Sequence, residues 1–253
     1  ALLILAQLAE ERKDYAGASA WLDKVPPGTE PSLLFSAQLR RAQLLAKQGN
    51  LAAGRKLLAS LKPSEEAQQV QVAVAESQLL RDAGRTAEAY TLMEAAARRF
   101  PKNPDLLYDF ALLAEKQGRF EVMEKQLREV MALAPDNHHA YNALGYSLAE
   151  RNVRLQEAQA LVAKALEMAP GDPFIMDSMG WVHYRLGNLD EAEKFLRRAY
   201  ALRRDPEIAV HLGEVLFQKG RQADAQQLWR EASAKDPQND TLRSTLARLR
   251  QTL

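Results

Sequence analysis

The chain has 253 residues, with 34 Lys and Arg against 33 Asp and Glu and a net charge of +1, so no global field draws it to nucleic acid or to anionic membrane. It contains no cysteine, which excludes disulfides, cysteine nucleophiles and thiolate metal sites. Ala, Leu, Glu, Arg and Gln are abundant and aromatics make up only 7%, the usage of helices packed through small side chains, and an all-α class is predicted.

The first element is the apolar run Ala1 to Ala6. It lacks the basic flank and cleavage site of an export signal, and it is too short to span a bilayer. It reads as a repeat helix already under way, with any export signal or lipid anchor expected upstream. A glycine then recurs about every 34 residues, at Gly49, Gly84, Gly118, Gly187 and Gly220, with Asn152 in place of one and Lys13 where the first is due. A fixed period of this length marks a stacked repeat array, which mostly holds partners and seldom does chemistry.

The beat divides the chain into seven predicted helix-turn-helix units, 1–27, 31–62, 64–101, 104–135, 138–170, 173–205 and 206–237, and a capping helix within 238–253. The run Pro26-Pro27-Gly28-Thr29-Glu30-Pro31 is a stiff break after the first unit. The insertion Asn152-Val153-Arg154 lengthens one inter-helix turn. In the cap, Arg243, Arg248 and Arg250 are expected to form a polar outer face.

The seventh unit is the clearest. Leu212, Gly213 and Leu216 lie on its first helix, Gly220 ends that helix, Ala225, Trp229 and Ala232 mark the second, and Pro237 stops it. Earlier units repeat the pattern, as in Leu144-Gly145, Ala158, Val162, Ala165 and Pro170. These residues resemble the tetratricopeptide repeat family over nearly the whole chain. The resemblance implies a right-handed superhelical solenoid, in which the first helix of each pair lines the concave side. Residues three or four apart on those helices share a face, and the candidate partner-binding residues are Tyr108, Asn142, Tyr146, Phe174, Asp177, Trp181, Tyr184, His211 and Glu214. Trp181, with Tyr146 and Tyr184, is expected to expose aromatic area as a binding anchor. Trp21 and Trp229 are expected in the core, and the basic pairs Arg98-Arg99, Arg197-Arg198 and Arg203-Arg204 on second helices.

His138, His139, His183 and His211 have no metal-ligand spacing, and every glycine is explained by a turn or a helix crossing. No metal and no cofactor are expected, and the chain reads as a non-enzyme. An RNA-reading repeat would need a basic inward face, whereas the inward residues are aromatic, amide and acidic. The Lys and Asn positions with which some tetratricopeptide proteins grip a C-terminal carboxylate hold Asp105, Asp109, Ser178, Glu207 and His211 instead.

Two stretches, Asp177 to Gly187 and Asp205 to Leu216, are more specific than the generic repeat. They resemble the C-terminal array of tetratricopeptide lipoprotein adaptors of Gram-negative bacteria. That resemblance implies a periplasmic scaffold anchored at the outer membrane through a lipid upstream of this segment. Its protein partners would be a carboxyl-terminal processing protease of the CtpA type and peptidoglycan hydrolases as that protease's substrates. An envelope or secretion-machinery assembly scaffold with no protease partner is the rival reading, and a cytoplasmic location stays open.

Overall fold

The computed structural model describes residues 1–253 and is all-helical. By packing the chain divides into two compact units, Ala1–Gln126 and Leu127–Leu253. The first contains α1 (Leu2–Glu11), α2 (Tyr15–Asp23), α3 (Pro31–Lys47), α4 (Leu51–Ser60), α5 (Glu66–Asp82), α6 (Thr86–Arg99) and α7 (Pro104–Lys116), and α8 (Phe120–Leu133) starts in it. The second contains α9 (His138–Glu150), α10 (Leu155–Met168), α11 (Pro173–Arg185), α12 (Leu189–Leu202), α13 (Pro206–Gln218), α14 (Gln222–Lys235) and α15 (Asp240–Leu249). No helix is long and apolar enough to cross a membrane.

The beat residues all do the same thing. Gly49, Gly84, Gly118, Gly187 and Gly220 have φ between +67° and +87°, and the two stand-ins Lys13 and Asn152 adopt φ +60° and +56°. At each, the chain leaves the first helix of a pair through the left-handed region. The following amide closes a wide turn onto the helix end, as when Arg221 N–H donates to the Leu216 carbonyl at 2.9 Å. Glycine enters that region without steric cost, which explains its recurrence and marks Lys13 and Asn152 as the strained exceptions. At the insertion, Arg154 is left-handed as well, with φ +49°, and becomes the N-cap of α10.

Helix starts follow from short polar side chains. Asn103, Asn137 and Asn239 accept the backbone N–H three residues on, at 3.0, 3.3 and 2.8 Å, and Asp172 and Asp205 cap α11 and α13 with proline at the first helical position.

Within the second unit α9 packs on α10, α11 on α12 and α13 on α14, and α11 and α13 also lie against α10 and α12 respectively. Small residues make the close crossings. A Cβ on Gly213 would stand 2.4 Å from Trp229 Nε1, so the flat indole lies directly on the α13 backbone. Trp229 is fully buried and its Nε1 donates to the Val210 carbonyl at 3.3 Å. Trp229, Leu196, Leu212, Val215, Leu216 and Leu242 belong to one apolar cluster there. The first unit has smaller clusters, one with Ala6, Ala18, Leu22, Ala37 and Leu44, the other with Ala42, Leu58, Ala75 and Leu79. Trp21, expected in the core, is half-buried, with Lys24 Nζ 4.1 Å over its ring.

Candidate functional site

The first helices of successive pairs, α9, α11 and α13, and the terminal helix α15 lie side by side in the second unit. Glu150 closes α9, and its Oε2 accepts the indole N–H of Trp181 on α11 at 2.7 Å. The Trp181 ring stacks on the His211 imidazole of α13, with centroids 4.3 Å apart and planes 24° apart, and the Tyr184 ring lies 4.9 Å away. His211 Nδ1 is 3.0 Å from both Asp177 carboxylate oxygens, and its Nε2 is 3.5 Å from the Tyr146 hydroxyl on α9. Tyr184 donates to Glu214 Oε1 at 2.7 Å, and Arg248 of α15 grips both Glu214 oxygens at 2.7 Å each. Arg185 ties α11 back to the end of α9 through the carbonyls of Ala149 and Glu150, at 3.0 and 3.1 Å.

These bonds form a ladder in which buried charges find partners on neighbouring helices. His211 is 1% exposed, Asp177 6% and Glu214 0%. A buried charge is tolerated only when paired and hydrogen-bonded. Burial alone would lower the His211 pKa, but the Asp177 carboxylate outweighs it, and Glu207 and Glu150 add to the effect, so the group is pushed up to about 9. The imidazolium then donates from Nδ1 to Asp177 and from Nε2 to Tyr146. Burial, reinforced by the bond to Glu214, pushes the Tyr184 hydroxyl up to about 12, so at neutral pH it is a fixed donor.

A pH dependence follows. The folded pKa of His211 lies above the value of about 6.5 in an unfolded chain. Its stabilisation is therefore complete below pH ~6.5 and is lost as pH rises through about 9. Denaturant titrations across this window are expected to show stability falling by on the order of 2 kcal/mol, with the fall absent in His211→Gln. Equal pH slopes in the two proteins would refute the assignment.

The expected site residues thus divide. The face of α9, α11 and α13 brings together Asn142, Tyr146, Asp177, Trp181, Tyr184, His211 and Glu214, but it does not present them as an open groove. Trp181 is 2% exposed, which corrects the expectation that it offers aromatic area to a partner. The sequence register fixes the face a residue occupies, yet the indole is long enough to lie across α13 and reach Glu150, and there it is covered. Asp177, His211 and Glu214 are likewise consumed in pairs within the chain. Asn142, Tyr146 and Tyr184 are half-buried. Phe174, at the start of α11, is the open aromatic, 42% exposed with the Arg203 guanidinium 5.0 Å over its ring. Tyr108 lies on α7 in the first unit and is half-buried; burial raises its pKa, and Asp109 and Glu115 raise it further.

Four members of the ladder were not expected from the sequence: Glu150, Arg185, Arg248 and Thr245, whose hydroxyl lies 3.5 Å from Glu214 Oε2. Arg248 was assigned to a polar outer face of the capping helix and instead turns inward onto Glu214. A sequence signal does exist, because Asp177 and His211, and Glu214 and Arg248, are opposite charges 34 residues apart. Arg203 and Arg204, placed on a second helix, lie just beyond the end of α12.

Comparison with known proteins agrees with the helical repeat fold. Residues 80–145 and 178–240 each match a tetratricopeptide repeat family profile, together just over half of the chain. The chain is 41% identical over 210 residues to the TPR repeat-containing protein PA4667 of Pseudomonas aeruginosa, covering 83% of this chain and 35% of that protein. It therefore spans about a third of that relative's length. Among solved structures, a tetratricopeptide repeat protein from Parabacteroides merdae superposes with a TM-score of 0.72 at 13% identity, over 97% of this chain and 96% of the other. The thermophilic TPR protein TTC0263 of Thermus thermophilus superposes with a TM-score of 0.60 at 27% identity, over 73% of this chain and 98% of the other. On its repeat pattern, its helical pairs and these matches, the chain belongs to the tetratricopeptide repeat family.

Proposed function

We propose that this chain is the partner-binding array of a periplasmic lipoprotein adaptor, which brings a carboxyl-terminal processing protease of the CtpA type together with peptidoglycan hydrolases. Tetratricopeptide repeats support a protein-protein interaction scaffold in general terms. The 41% identity over 210 residues to a TPR repeat-containing protein of Pseudomonas aeruginosa supports that general role. The finer reading rests on the resemblance of Asp177 to Gly187 and Asp205 to Leu216 to lipoprotein adaptors of that kind. The mechanism is tethering: two molecules held on one scaffold meet at a raised effective concentration, and the scaffold makes and breaks no bond.

The ladder suits this role. An array that presents partners to one another must hold its helices in fixed register, and buried pairs between α11, α13 and α15 do that. The test mixes the purified chain with a CtpA-type protease and a peptidoglycan hydrolase. Co-elution of all three and cleavage accelerated about tenfold or more are expected, within the range that tethering supplies. Unchanged cleavage with no co-elution would favour an envelope or secretion-machinery assembly scaffold.

A further inference from the structure

A second surface of the same unit lies away from the ladder, where α12 and α14 run beside each other. Two adjoining cavities of about 220 and 310 Å³ open between them. They share Tyr200, Arg204 and Glu231, so they are one cleft divided by the Tyr200 hydroxyl bond to Glu231 Oε2, 2.7 Å long. The wall of the larger cavity includes Leu212, Leu216 and Leu228, and that of the smaller includes Ala209 and Ala232.

The charges at the rim are unequally committed. Arg197 is paired with Glu193, and Arg221 with Glu193 and Asp224. Arg204 makes no ion pair; its guanidinium stands 5.9 Å over the Tyr200 ring. Lys235 also has no carboxylate partner, and its ammonium donates to the Arg204 carbonyl at 2.5 Å. Of the acids, Asp205 is spent capping α13, and Glu231 is held on Tyr200. The cleft therefore offers two cations outside any ion pair, with Glu231 close enough to Arg204 to feel its charge. Its accessible apolar wall is the half-buried Leu228, since Leu212 and Leu216 are 2% and 1% exposed. The cleft already seats one carboxylate, that of Glu231, on a tyrosine hydroxyl beside Arg204.

We infer that the α12–α14 cleft docks an acidic segment of a protein partner, with an apolar side chain against Leu228 and carboxylates on Arg204 and Lys235. Charge complementarity selects the occupant, since two cations outside any ion pair beside the half-buried Leu228 fit a peptide that is acidic with one apolar side chain. The concavity favours a segment that enters over a flat anionic membrane. The inference rests on the chain being a protein-interaction scaffold and is independent of any protease.

The test uses the whole chain and a fluorescent peptide of Asp and Glu residues around one central Leu, read by anisotropy. Binding at about 1 mM or tighter is expected, weakening with salt as exposed charge pairs do. The double variant Arg204→Glu with Lys235→Glu is expected to lose about tenfold or more in affinity at unchanged melting temperature. Reversing Arg98 and Arg99 on α6 is expected to change nothing. Glu231→Gln, which withdraws the chain's own carboxylate from the seat, is expected to bind severalfold tighter, a gain that a merely structural role would not give. No binding, equal loss on reversing Arg98 and Arg99, or weaker binding by Glu231→Gln each overturns the proposal. So does adsorption to anionic phospholipid vesicles without peptide binding. Any of these results leaves the protease reading untouched, because the probe contains no protease.

Discussion

Replacing Arg248 with alanine is expected to destabilise the second unit by about 3 kcal/mol and to release α15 from α13. Glu214 is fully buried, and Arg248 supplies both of the charge-assisted bonds to its two oxygens. Without the guanidinium, the carboxylate keeps the Tyr184 hydroxyl at 2.7 Å and the longer Thr245 contact at 3.5 Å, too little to offset its desolvation. Removing one member of a buried pair costs about 3–5 kcal/mol, and the lower end applies because the Arg248 side chain is itself 50% exposed, so water can enter where it stood. Urea denaturation followed by circular dichroism measures the loss. Adding Glu214→Gln to Arg248→Ala is expected to restore part of it, because a neutral amide no longer needs the missing cation. If Arg248→Ala unfolds at the same urea concentration as the parent chain, the pair does not hold the terminal helix.

That pair shows where the sequence is legible and where it stops being so. The glycine beat states a backbone requirement, one residue per repeat in the left-handed region, and backbone requirements are local. Even its exceptions, Lys13 and Asn152, obey it in φ. Helix starts are local too, written in Asn, Asp and proline. Gly213 is legible for a related reason, since a Cβ there would strike Trp229 and the pattern of small residues records the crossing.

The exposure of a side chain on the first-helix face is not a local property. Trp181, His211 and Glu214 occupy the face that the register assigns, but each is covered by a residue about one repeat away: Glu150, Asp177 and Arg248. Side-chain reach and rotamer decide those meetings, and the spacing of Cα positions does not encode them. In a repeat array such pairs are also the nearest-neighbour coupling that makes successive units fold together. The same residues that sequence reasoning assigned to a partner therefore hold neighbouring repeats to one another.

Trp181→Ala is consequently expected to act on stability before it acts on binding, with a loss of about 3–5 kcal/mol, as for a buried aromatic truncated to alanine. The ring is 2% exposed, covers the His211 imidazolium, packs near Tyr184 and donates to Glu150. Its removal leaves a ring-sized void and lets water onto the Asp177–His211 pair. A partner lost by this variant would thus report a disordered face and could not be read as the loss of an anchor. Two companions separate the effects. Trp181→Phe keeps part of the stacking surface while losing the N–H and one ring of the indole, for an expected cost of about 1–3 kcal/mol. Phe174→Ala removes the exposed ring and is expected to leave stability within about 0.5 kcal/mol of the parent, so any change in partner affinity there belongs to the surface itself. Should Trp181→Ala melt as the parent does while abolishing partner binding, the ring would be a contact after all, and the closed ladder would have to open in solution.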